Sequence, residues 1–329
     1  MSPKQLNYQI IATLGPAVKN RVSQLISAGA TGFRLNCSHL TLEEISRWLI
    51  ELEQAFSHFG DALPVWLDLQ GSKMRIGKLA RVIILERGKI LTFKNSYSQI
   101  DDEIPLPHGE IFKRIQSGDL ILLDDGKIEL RVQTAYNGYF NAEVINFGEL
   151  SSYKGFLIRN KNLDVSKPAA RDVAFIEQTR HLKFVGYAIS YIHTSKEIKQ
   201  FRSLALDRPI VAKIERQKAF DQLRNIARVS DMLWLCRGDL GADGTIYELF
   251  HFEKKFIRNM ALMKTPSLIA GQVLGNMVTQ SCPSRSEIAH LGYLIENGFV
   301  GLVLSDETAI GKYPVQAVEF CRNYFEYTR

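Results

Sequence analysis

The 329-residue sequence predicts an α/β fold, a (β/α)8 TIM barrel with an inserted all-β lid domain after strand 3. Two observations predict it: apolar runs of strand length alternate with helix-like stretches, and one interval between runs is far longer than the others. Such alternation is typical of a parallel sheet covered on both faces, and eight units close into a barrel. The runs are Gln9–Gly15, Gly32–Ser38, Pro64–Gln70, Phe184–Tyr191, Pro209–Glu215, Asp231–Asp239, Pro266–Gln272 and Gly301–Glu307.

Amphipathic stretches after these runs predict the helices that cover the barrel. They include Val18–Ala28, Thr41–Phe56, Ser195–Ala205 and Lys218–Val229.

The third and fourth runs begin about 120 residues apart, which is too long for a loop and predicts a separate domain. The β-branched stretches and turn signals in this interval are Arg81–Phe93, Leu120–Asn146, Arg87-Gly, Asp125-Gly and Asn137-Gly. We therefore expect a barrel over residues 1–73 and 161–329, with a β-barrel-like domain over 74–160 on its C-terminal rim. Such a lid can close over a site and expel water.

Composition excludes several classes of protein. With 46% apolar and 23% charged residues the chain is typical of a soluble globular protein, and no run of about 18 apolar residues predicts a membrane span. The net charge of +6 comes without a zinc-finger, helix-turn-helix or RNP-like pattern, so no nucleic-acid partner is expected. The dispersed cysteines and the absence of a signal peptide predict reduced thiols and a cytoplasmic location.

Polar residues follow the apolar runs, and in barrels of this type the active site lies at the carboxyl ends of the strands. We therefore expect these side chains to surround one mouth. They are Asn36, Ser38, His39, Asp68, Lys213, Glu215, Arg237, Asp239, Gln272, Ser305 and Glu307.

Glu215 and Asp239 are predicted at the ends of neighbouring strands, where their carboxylates can share one Mg²⁺ ion. Lys213 lies two positions before Glu215 and therefore points to the same face of its strand. A lysine beside such a metal can stabilise a transferring phosphoryl group or a developing enolate. The sequence contains no HExxH, GxSxG or GxxxxGK[ST] motif, which argues against zinc or serine hydrolysis and against a P-loop.

Ordered motifs across essentially the whole chain resemble those of pyruvate kinase, and the long interval falls where that family inserts its B domain. The motifs are Thr13-Leu-Gly-Pro16, Arg34-Leu-Asn-Cys-Ser-His39, Asp68-Leu-Gln-Gly71, Asp124-Asp-Gly126, Lys213-Ile-Glu215, Arg237-Gly-Asp-Leu-Gly241, Pro283-Ser-Arg285 and Leu304-Ser-Asp-Glu-Thr-Ala309.

The resemblance implies a glycolytic kinase that transfers a phosphoryl group from phosphoenolpyruvate to ADP, giving pyruvate and ATP. It implies that Glu215 and Asp239 hold Mg²⁺ or Mn²⁺, while Lys213 neutralises the phosphoryl group in flight and then the enolate oxygen. Arg34 would hold the transferring phosphate. The remaining implied ligands are Asn36, His39, Arg75 and Lys154 for the nucleotide, and Arg237, Gly238, Asp239 and Gln272 for the substrate.

Two departures from the family pattern concern the chemistry of the site. The family's monovalent-cation site corresponds to Asn36, Ser38, Asp68 and Leu69, and Lys73 stands where the family has a supporting glutamate. An ammonium there can replace potassium, as in the potassium-independent branch of the family, so K⁺ is not expected to be required. Gly271 stands where the family has a threonine whose hydroxyl serves enolate protonation, so a water or Ser305 must serve instead.

The sequence ends at Arg329, without the family's C-terminal domain. We therefore expect no sugar-phosphate allostery, and a homo-oligomer or a partner chain over the surface that domain would cover. Two alternatives stay open: a catalytically weak homologue that acts as a ligand-binding or partner protein, and a metal-dependent 2-oxo acid lyase. The intact set of Lys213, Glu215, Asp239, Arg34 and Arg75 favours the kinase.

Overall fold

A computed structural model of the chain describes residues 8–71, 73–124, 126–159, 161, 168–243 and 246–328. Asp125, in a predicted turn, and Asn160, at a predicted domain boundary, lie outside the described residues. The strands are β1 Gln9–Thr13, β2 Gly32–Asn36, β3 Val65–Leu69, β4 Met74–Arg75, β5 Ile83–Leu85, β6 Ile90–Lys94, β7 Ile104–Pro105, β8 Leu120–Leu123, β9 Ile128–Tyr136, β10 Tyr139–Val144, β11 Gly148–Leu150, β12 Gly155–Ile158, β13 Val185–Ile189, β14 Ile210–Ile214, β15 Met232–Cys236, β16 Ser267–Ala270 and β17 Gly301–Leu304. The α-helices are α1 Val22–Ala28, α2 Leu42–Phe59, α3 Ala170–Thr179, α4 Ser195–Ala205, α5 Leu223–Ala227, α6 Arg237–Asp243, α7 Leu249–Met260, α8 Arg285–Glu296, α9 Asp306–Ala309 and α10 Pro314–Tyr327.

Eight parallel strands form a closed barrel in the order β1-β17-β16-β15-β14-β13-β3-β2, which confirms the predicted fold class. The first and last strands close the ring, with Gln9 opposite Gly301. Large apolar side chains fill the barrel region, where the rings of Trp66 and Trp234 meet edge to face at 6.1 Å between centroids. The rim residues are therefore carried by a packed and rigid core.

The barrel strands are shorter than the apolar runs that predict them, and this corrects two positions. β15 ends at Cys236, so Asp239 lies on helix α6 and does not end a strand as predicted. β17 ends at Leu304, and Glu307 lies on the short helix α9. In both places the apolar residues stop with the strand, and the polar residues included at the end of each predicted run belong to the turn and helix that follow.

The helices follow the predicted stretches, with differences at their ends. α4 has the predicted bounds, and α2 begins after Thr41, whose hydroxyl forms a capping box with Glu44. α1 begins only at Val22, after a separate 3₁₀ turn over Pro16–Val18. The predicted helix Lys218–Val229 is divided into a 3₁₀ turn and α5, because the backbone leaves helical geometry at Gln222.

The chain separates into two compact units. The barrel unit comprises Met1–Gly71, Lys167–Arg237 and Phe250–Arg329, and the inserted unit comprises Ser72–Ser166 and Gly238–Leu249. The predicted boundaries assign residues 238–249 to the barrel, so they differ from the observed units there.

The inserted unit contains a seven-stranded sheet in the order β4-β12-β8-β9-β10-β6-β7 and a separate pair, β11-β5. Its core includes stacked rings of Phe93 and Phe140, 4.7 Å apart between centroids, with the edge of Phe156 against Phe93. The predicted Asn137-Gly turn joins β9 to β10, and Gly138 has a φ of 102°, the left-handed conformation that such a tight hairpin needs. Within the described part of the chain, no helix has the length and apolar character needed to cross a membrane.

Candidate active site

A network of charged side chains lies where the barrel strands β2, β3, β13 and β14 end. Arg34 lies on β2, Asp68 on β3 and Lys213 on β14, while Ser190 and Glu215 directly follow β13 and β14. The strand period of two places Arg34 and Asn36 on one face of β2, and Lys213 and Glu215 on one face of their segment. The fold thus brings together residues that lie far apart in the sequence.

Arg34 and Asp68 form a tight ion pair. Nε of Arg34 donates to Asp68 Oδ2 at 2.6 Å, and the Nη2 atom lies 2.5 Å from the same oxygen. Nη1 of Arg34 donates to the Thr13 hydroxyl at 3.0 Å. The guanidinium is therefore held by partners on both neighbouring strands, β1 and β3.

Lys213 donates from its buried ammonium to three acceptors. Nζ lies 2.9 Å from Asp68 Oδ1, 2.8 Å from Ser190 Oγ and 2.8 Å from Glu215 Oε1. Ser190 donates its own hydroxyl to Asp68 Oδ1 at 3.1 Å. An ammonium has three N–H donors, and each of them has an acceptor here.

The electrostatics of this network keep its members charged. Burial disfavours the ammonium of Lys213, but the carboxylates of Asp68 and Glu215 outweigh burial and raise its pKa well above the ordinary value. Burial would raise the pKa of Asp68, but Lys213 and Arg34 hold it below its usual range. A buried lysine that stays protonated is suited to binding an oxyanion rather than to accepting a proton.

Glu215 is almost fully buried and is fixed by the segment that follows the neighbouring strand β13. Its Oε2 atom accepts the backbone N–H of Tyr191 at 2.8 Å, while Oε1 faces Lys213. The guanidinium of Arg216 lies 5.2 Å from the centroid of the Tyr191 ring, so Tyr191 also contacts the residue that follows Glu215. The carboxylate is thus oriented by groups on two strand ends.

Asn36, Ser38 and His39 form the turn that follows β2. The Asn36 side-chain oxygen accepts the Ser38 N–H at 3.2 Å, and the Asn36 carbonyl accepts the His39 N–H at 3.2 Å. The turn presents these predicted ligands in one compact loop.

Arg237 and the ends of β16 and β17 form a second cluster of the barrel unit. Nη2 of Arg237 donates to the carbonyl oxygens of Gly271 at 2.8 Å and Gln272 at 2.7 Å. Glu307 accepts the N–H groups of Leu274 at 3.0 Å and Ser305 at 2.7 Å. Burial raises the pKa of Glu307, and the backbone N–H groups moderate this.

The inserted unit carries five other predicted residues, Lys73, Arg75, Lys154, Gly238 and Asp239. Lys73 Nζ lies 2.5 Å from Asp239 Oδ1. The Arg75 guanidinium donates to the Tyr153 carbonyl at 2.8 Å, and Lys154 donates to Asp124 Oδ1 at 2.7 Å. The lysines and Arg75 are therefore held by partners within the same unit.

Two residues of the site, Ser190 and Asp172, are absent from the sequence-based prediction, and the contacts of a third, Glu307, are not predicted by it. Ser190 accepts from Lys213, and its position at the end of the fourth apolar run was an available signal. Glu307 was noticed as a strand-end acid, but its contacts with Leu274 and Ser305 depend on the folded barrel. Asp172 accepts the N–H groups of Gln70 at 3.1 Å and Gly71 at 2.8 Å, and nothing in the local sequence predicts this.

No group of three or more His, Cys, Asp or Glu side chains among the described residues is arranged to hold a metal ion. The expected ligand set has only two carboxylates, Glu215 and Asp239, and is therefore smaller than such a group. The two acids differ in setting, since one follows a barrel strand and the other lies on α6.

The chain resembles known proteins along nearly its whole length. The family described as "Pyruvate kinase, barrel domain" matches residues 6–318. A pyruvate kinase from Agrobacterium vitis is 36% identical over 329 residues, which cover 97% of this chain and 68% of the relative. One from Thermococcus litoralis is 32% identical over 319 residues, with 94% and 67% covered.

A solved structure gives the same result. The crystal structure of pyruvate kinase from Pyrobaculum aerophilum matches with a TM-score of 0.86 and 25% identity, covering 98% of this chain and 74% of that one. Sequence motifs, barrel topology and these matches agree, and the chain therefore belongs to the pyruvate kinase family.

Proposed function

We propose that this chain catalyses Mg²⁺-dependent transfer of a phosphoryl group from phosphoenolpyruvate to ADP, giving pyruvate and ATP, without a need for potassium. The observation that carries the proposal is the buried ammonium of Lys213, within 2.9 Å of Asp68, Ser190 and Glu215 at the carboxyl ends of the barrel strands. A fixed cation in that position is what a transferring phosphoryl group and a developing enolate both require.

Lys213 and Arg34 are the cationic groups of the proposed reaction. Arg34 is oriented by Asp68 and Thr13, and it binds oxygens of the transferring phosphate. Lys213 exchanges one of its three acceptors for a substrate oxygen, first on the phosphoryl group and then on the enolate. Asp68 contacts both cations, so it fixes the distance between them.

Glu215 and Asp239 fit a divalent cation by their chemistry, because carboxylate oxygens are the ligands that Mg²⁺ and Mn²⁺ prefer. Each carboxylate also pairs with an ammonium group: Glu215 with Lys213, and Asp239 with Lys73. Both carboxylates therefore lie in surroundings that accept a positive charge next to them. We propose that these two residues hold the metal. When bound, the cation supplies charge neutralisation and orientation for substrate oxygens.

Substrate and nucleotide binding are proposed from the sequence motifs. Asn36 and His39, in the turn after β2, bind nucleotide phosphates together with Arg75 and Lys154. The backbone N–H groups of Arg237, Gly238 and Asp239 bind the substrate carboxylate. Gly238 has open space where a Cβ atom would stand, which supports close approach of a ligand to this backbone.

Lys73 replaces the monovalent cation in this proposal. Its ammonium is nearly buried and pairs with Asp239, so the inserted unit holds a fixed positive charge at Lys73, as the proposal requires. We assign Asn36, Ser38, Asp68 and Leu69 to the surroundings of that charge on the basis of the sequence motif.

Protonation of the enolate is the weakest step of the proposed reaction. Gly271 has no hydroxyl, so Ser305 or a water supplies the proton. Loss of a positioned general acid costs roughly 10²–10⁴ in such a step, which leaves phosphoryl transfer possible but slow turnover expected.

The test is pyruvate formation from phosphoenolpyruvate, ADP and MgCl₂ in sodium buffer, with and without added KCl, beside Lys213→Met. Since Lys213 neutralises two buried carboxylates, a thermal melt of the variant must accompany its assay. Turnover that is indifferent to potassium and lost in a folded Lys213→Met protein is the expected result.

One specific observation, Gly271, favours a second candidate, a homologue that binds phosphoenolpyruvate or ADP with little turnover. Binding of either ligand by calorimetry, without pyruvate formation at any potassium concentration, would establish this candidate. Absence of both binding and turnover would contradict the kinase proposal outright.

A further inference from the structure

The barrel unit contains a hydrogen-bonded series of three side chains, Glu253, His290 and Arg237. Glu253 lies on α7, His290 on α8, and Arg237 begins α6. His290 Nε2 lies 2.8 Å from Glu253 Oε1, and His290 Nδ1 lies 3.0 Å from Arg237 Nη1. The series therefore connects a buried carboxylate to the end of the sixth barrel strand.

The chemistry of the three groups fixes the direction of these hydrogen bonds. A guanidinium only donates, so His290 Nδ1 must be the acceptor and carries no proton. The ring proton then resides on Nε2, which donates to Glu253. The Glu253 side chain is only 6% exposed, so this bond stabilises a charge that water hardly reaches.

The other edge of the Arg237 guanidinium holds the backbone after β16. Nε donates to the Gly271 carbonyl at 3.1 Å, and Nη2 donates to the carbonyls of Gly271 at 2.8 Å and Gln272 at 2.7 Å. Gly271 has a φ of 86° and Gln272 a φ of 51°. The left-handed region is unfavourable for a non-glycine residue, so Gln272 needs such bonds to stay there.

We propose that Glu253 and His290 are positioning residues that act through Arg237 on the Gly271–Gln272 turn, and thereby set the affinity of the site for phosphoenolpyruvate. The inference rests on the proposed function and on Gln272 as a substrate ligand, the role that the sequence motifs imply for it. Glu253 orients the imidazole of His290, and this imidazole orients the guanidinium of Arg237. The guanidinium in turn holds the carbonyl groups of Gly271 and Gln272, which fixes the position of the Gln272 backbone.

Two substitutions at His290 separate positioning from simple structural support. In His290→Asn the amide oxygen takes the place of Nδ1 and still accepts from Arg237, but it no longer reaches Glu253. In His290→Gln the amide nitrogen takes the place of Nε2 and still donates to Glu253, but the acceptor for Arg237 is lost. If His290 acts by positioning Arg237, His290→Asn should keep more of the affinity for phosphoenolpyruvate than His290→Gln. If His290 only supports the buried Glu253, His290→Gln should keep more of it.

The first experiment is titration calorimetry of phosphoenolpyruvate into each protein in MgCl₂. We expect the Kd of His290→Asn to stay within about threefold of wild type, and that of His290→Gln to rise about tenfold or more, the loss of a bond to a charged group. His181→Gln, at an exposed histidine, is the matched control and should bind as wild type does. Equal affinity of wild type and His290→Gln, or equal weakening by Asn and Gln, would overturn the inference.

The second measurement needs no ligand, so it separates this inference from the proposed function. In ¹⁵N-histidine-labelled wild-type protein near neutral pH, NMR should show His290 with a protonated Nε2 and an unprotonated Nδ1. A protonated Nδ1 would overturn the chain of hydrogen bonds whatever the protein binds. If the tautomer is as expected but wild type does not bind phosphoenolpyruvate, the proposed function is wrong, and the inference fails with it as a statement about that substrate.

Discussion

Lys73 and Asp239 pair within the inserted unit, and this contact gives Lys73 a role that can be tested by reversing its charge. In Lys73→Glu a carboxylate would stand beside Asp239, and the two like charges repel unless a cation lies between them. We expect the variant to lose activity in sodium buffer and to regain part of it in KCl. Initial rates of pyruvate formation against KCl concentration measure this.

Lys78→Glu makes the same charge change at an exposed position of the inserted unit and is the control. It should show no response to potassium. A Lys73→Glu protein that is folded and equally indifferent to potassium would show that Lys73 does not stand in for the cation.

At Gly271 the backbone conformation determines which side chains the turn can accept. Its φ of 86° lies in the left-handed region, where a β-branched threonine is strongly disfavoured, so the family's residue does not fit this turn as it stands. Serine offers a hydroxyl with less strain, and alanine adds the same Cβ without a hydroxyl.

We expect Gly271→Ser and Gly271→Ala to lower the free energy of unfolding by a similar amount, about 1 kcal/mol or more. Only the serine variant should raise kcat, because it alone supplies a proton donor near the enolate. Urea denaturation and steady-state kinetics of both variants measure these effects. An alanine variant as stable as wild type would contradict the backbone argument, and equal kcat values would contradict the role of the hydroxyl.

Between elements, Asp172 in the first turn of α3 ties that helix to the loop after β3. Its carboxylate accepts the N–H groups of Gln70 and Gly71, about a hundred residues earlier in the chain. The loop itself is crowded, since a Cβ atom at Gly71 would stand 2.0 Å from the Ser190 carbonyl oxygen. The segment that leaves the barrel after β3 is therefore fixed by helix and strand together.

Burial raises the pKa of Asp172 from 3.8 to about 6, although the two N–H groups lower it. Between these values the folded protein binds more protons than the unfolded chain, so the free energy of unfolding falls as pH rises from about 4 to about 6. The contribution is at most about 3 kcal/mol. In Asp172→Asn we expect this part of the slope to disappear.

Urea denaturation of wild type and Asp172→Asn at several pH values in this window measures the difference. Asp61→Asn, at an exposed aspartate, removes the same formal charge from the surface and is the control. If the free energy of unfolding depends on pH in the same way for wild type and Asp172→Asn, the Asp172 carboxylate does not cause the fall in stability between about pH 4 and 6.

The elements that the sequence predicts well are those with local signals. Helix α4 was predicted with its observed bounds because its apolar face is periodic, and in the structure Thr194 and Glu197 cap its first residues. Asp239 and Glu307 were placed at strand ends because the predicted runs extended into polar residues beyond Cys236 and Leu304, where the apolar residues and the strands both end. The contacts of Asp172 and the left-handed turn at Gly271 could not be predicted, because both depend on distant segments meeting in the closed barrel.

At the scale of the whole molecule, binding of a metal ion should increase the stability of the folded protein. A ligand that binds only the folded state stabilises it by RT ln(1 + [L]/Kd), about 2.7 kcal/mol at a hundred times Kd. We expect Mn²⁺ to raise the melting temperature of wild type and EDTA to reverse the effect. Glu215→Gln should abolish the shift and weaken Mn²⁺ binding measured by electron paramagnetic resonance.

Glu177→Gln, at an exposed glutamate, is the control for Glu215→Gln and should keep the shift. Unchanged Mn²⁺ affinity in a folded Glu215→Gln protein would remove Glu215 from the proposed ligand set.

The pairing of β1 with β17 also governs how the barrel can be made during synthesis. Gln9 lies opposite Gly301, so β1 acquires its second neighbouring strand only after residues 301–304 have left the ribosome. Until then one edge of β1 has backbone N–H and C=O groups without strand partners, and ring closure must be a late event in folding. A nascent chain stalled before β17 therefore holds an open sheet, and the edge of β1 in that sheet is available to pair with a strand of another chain.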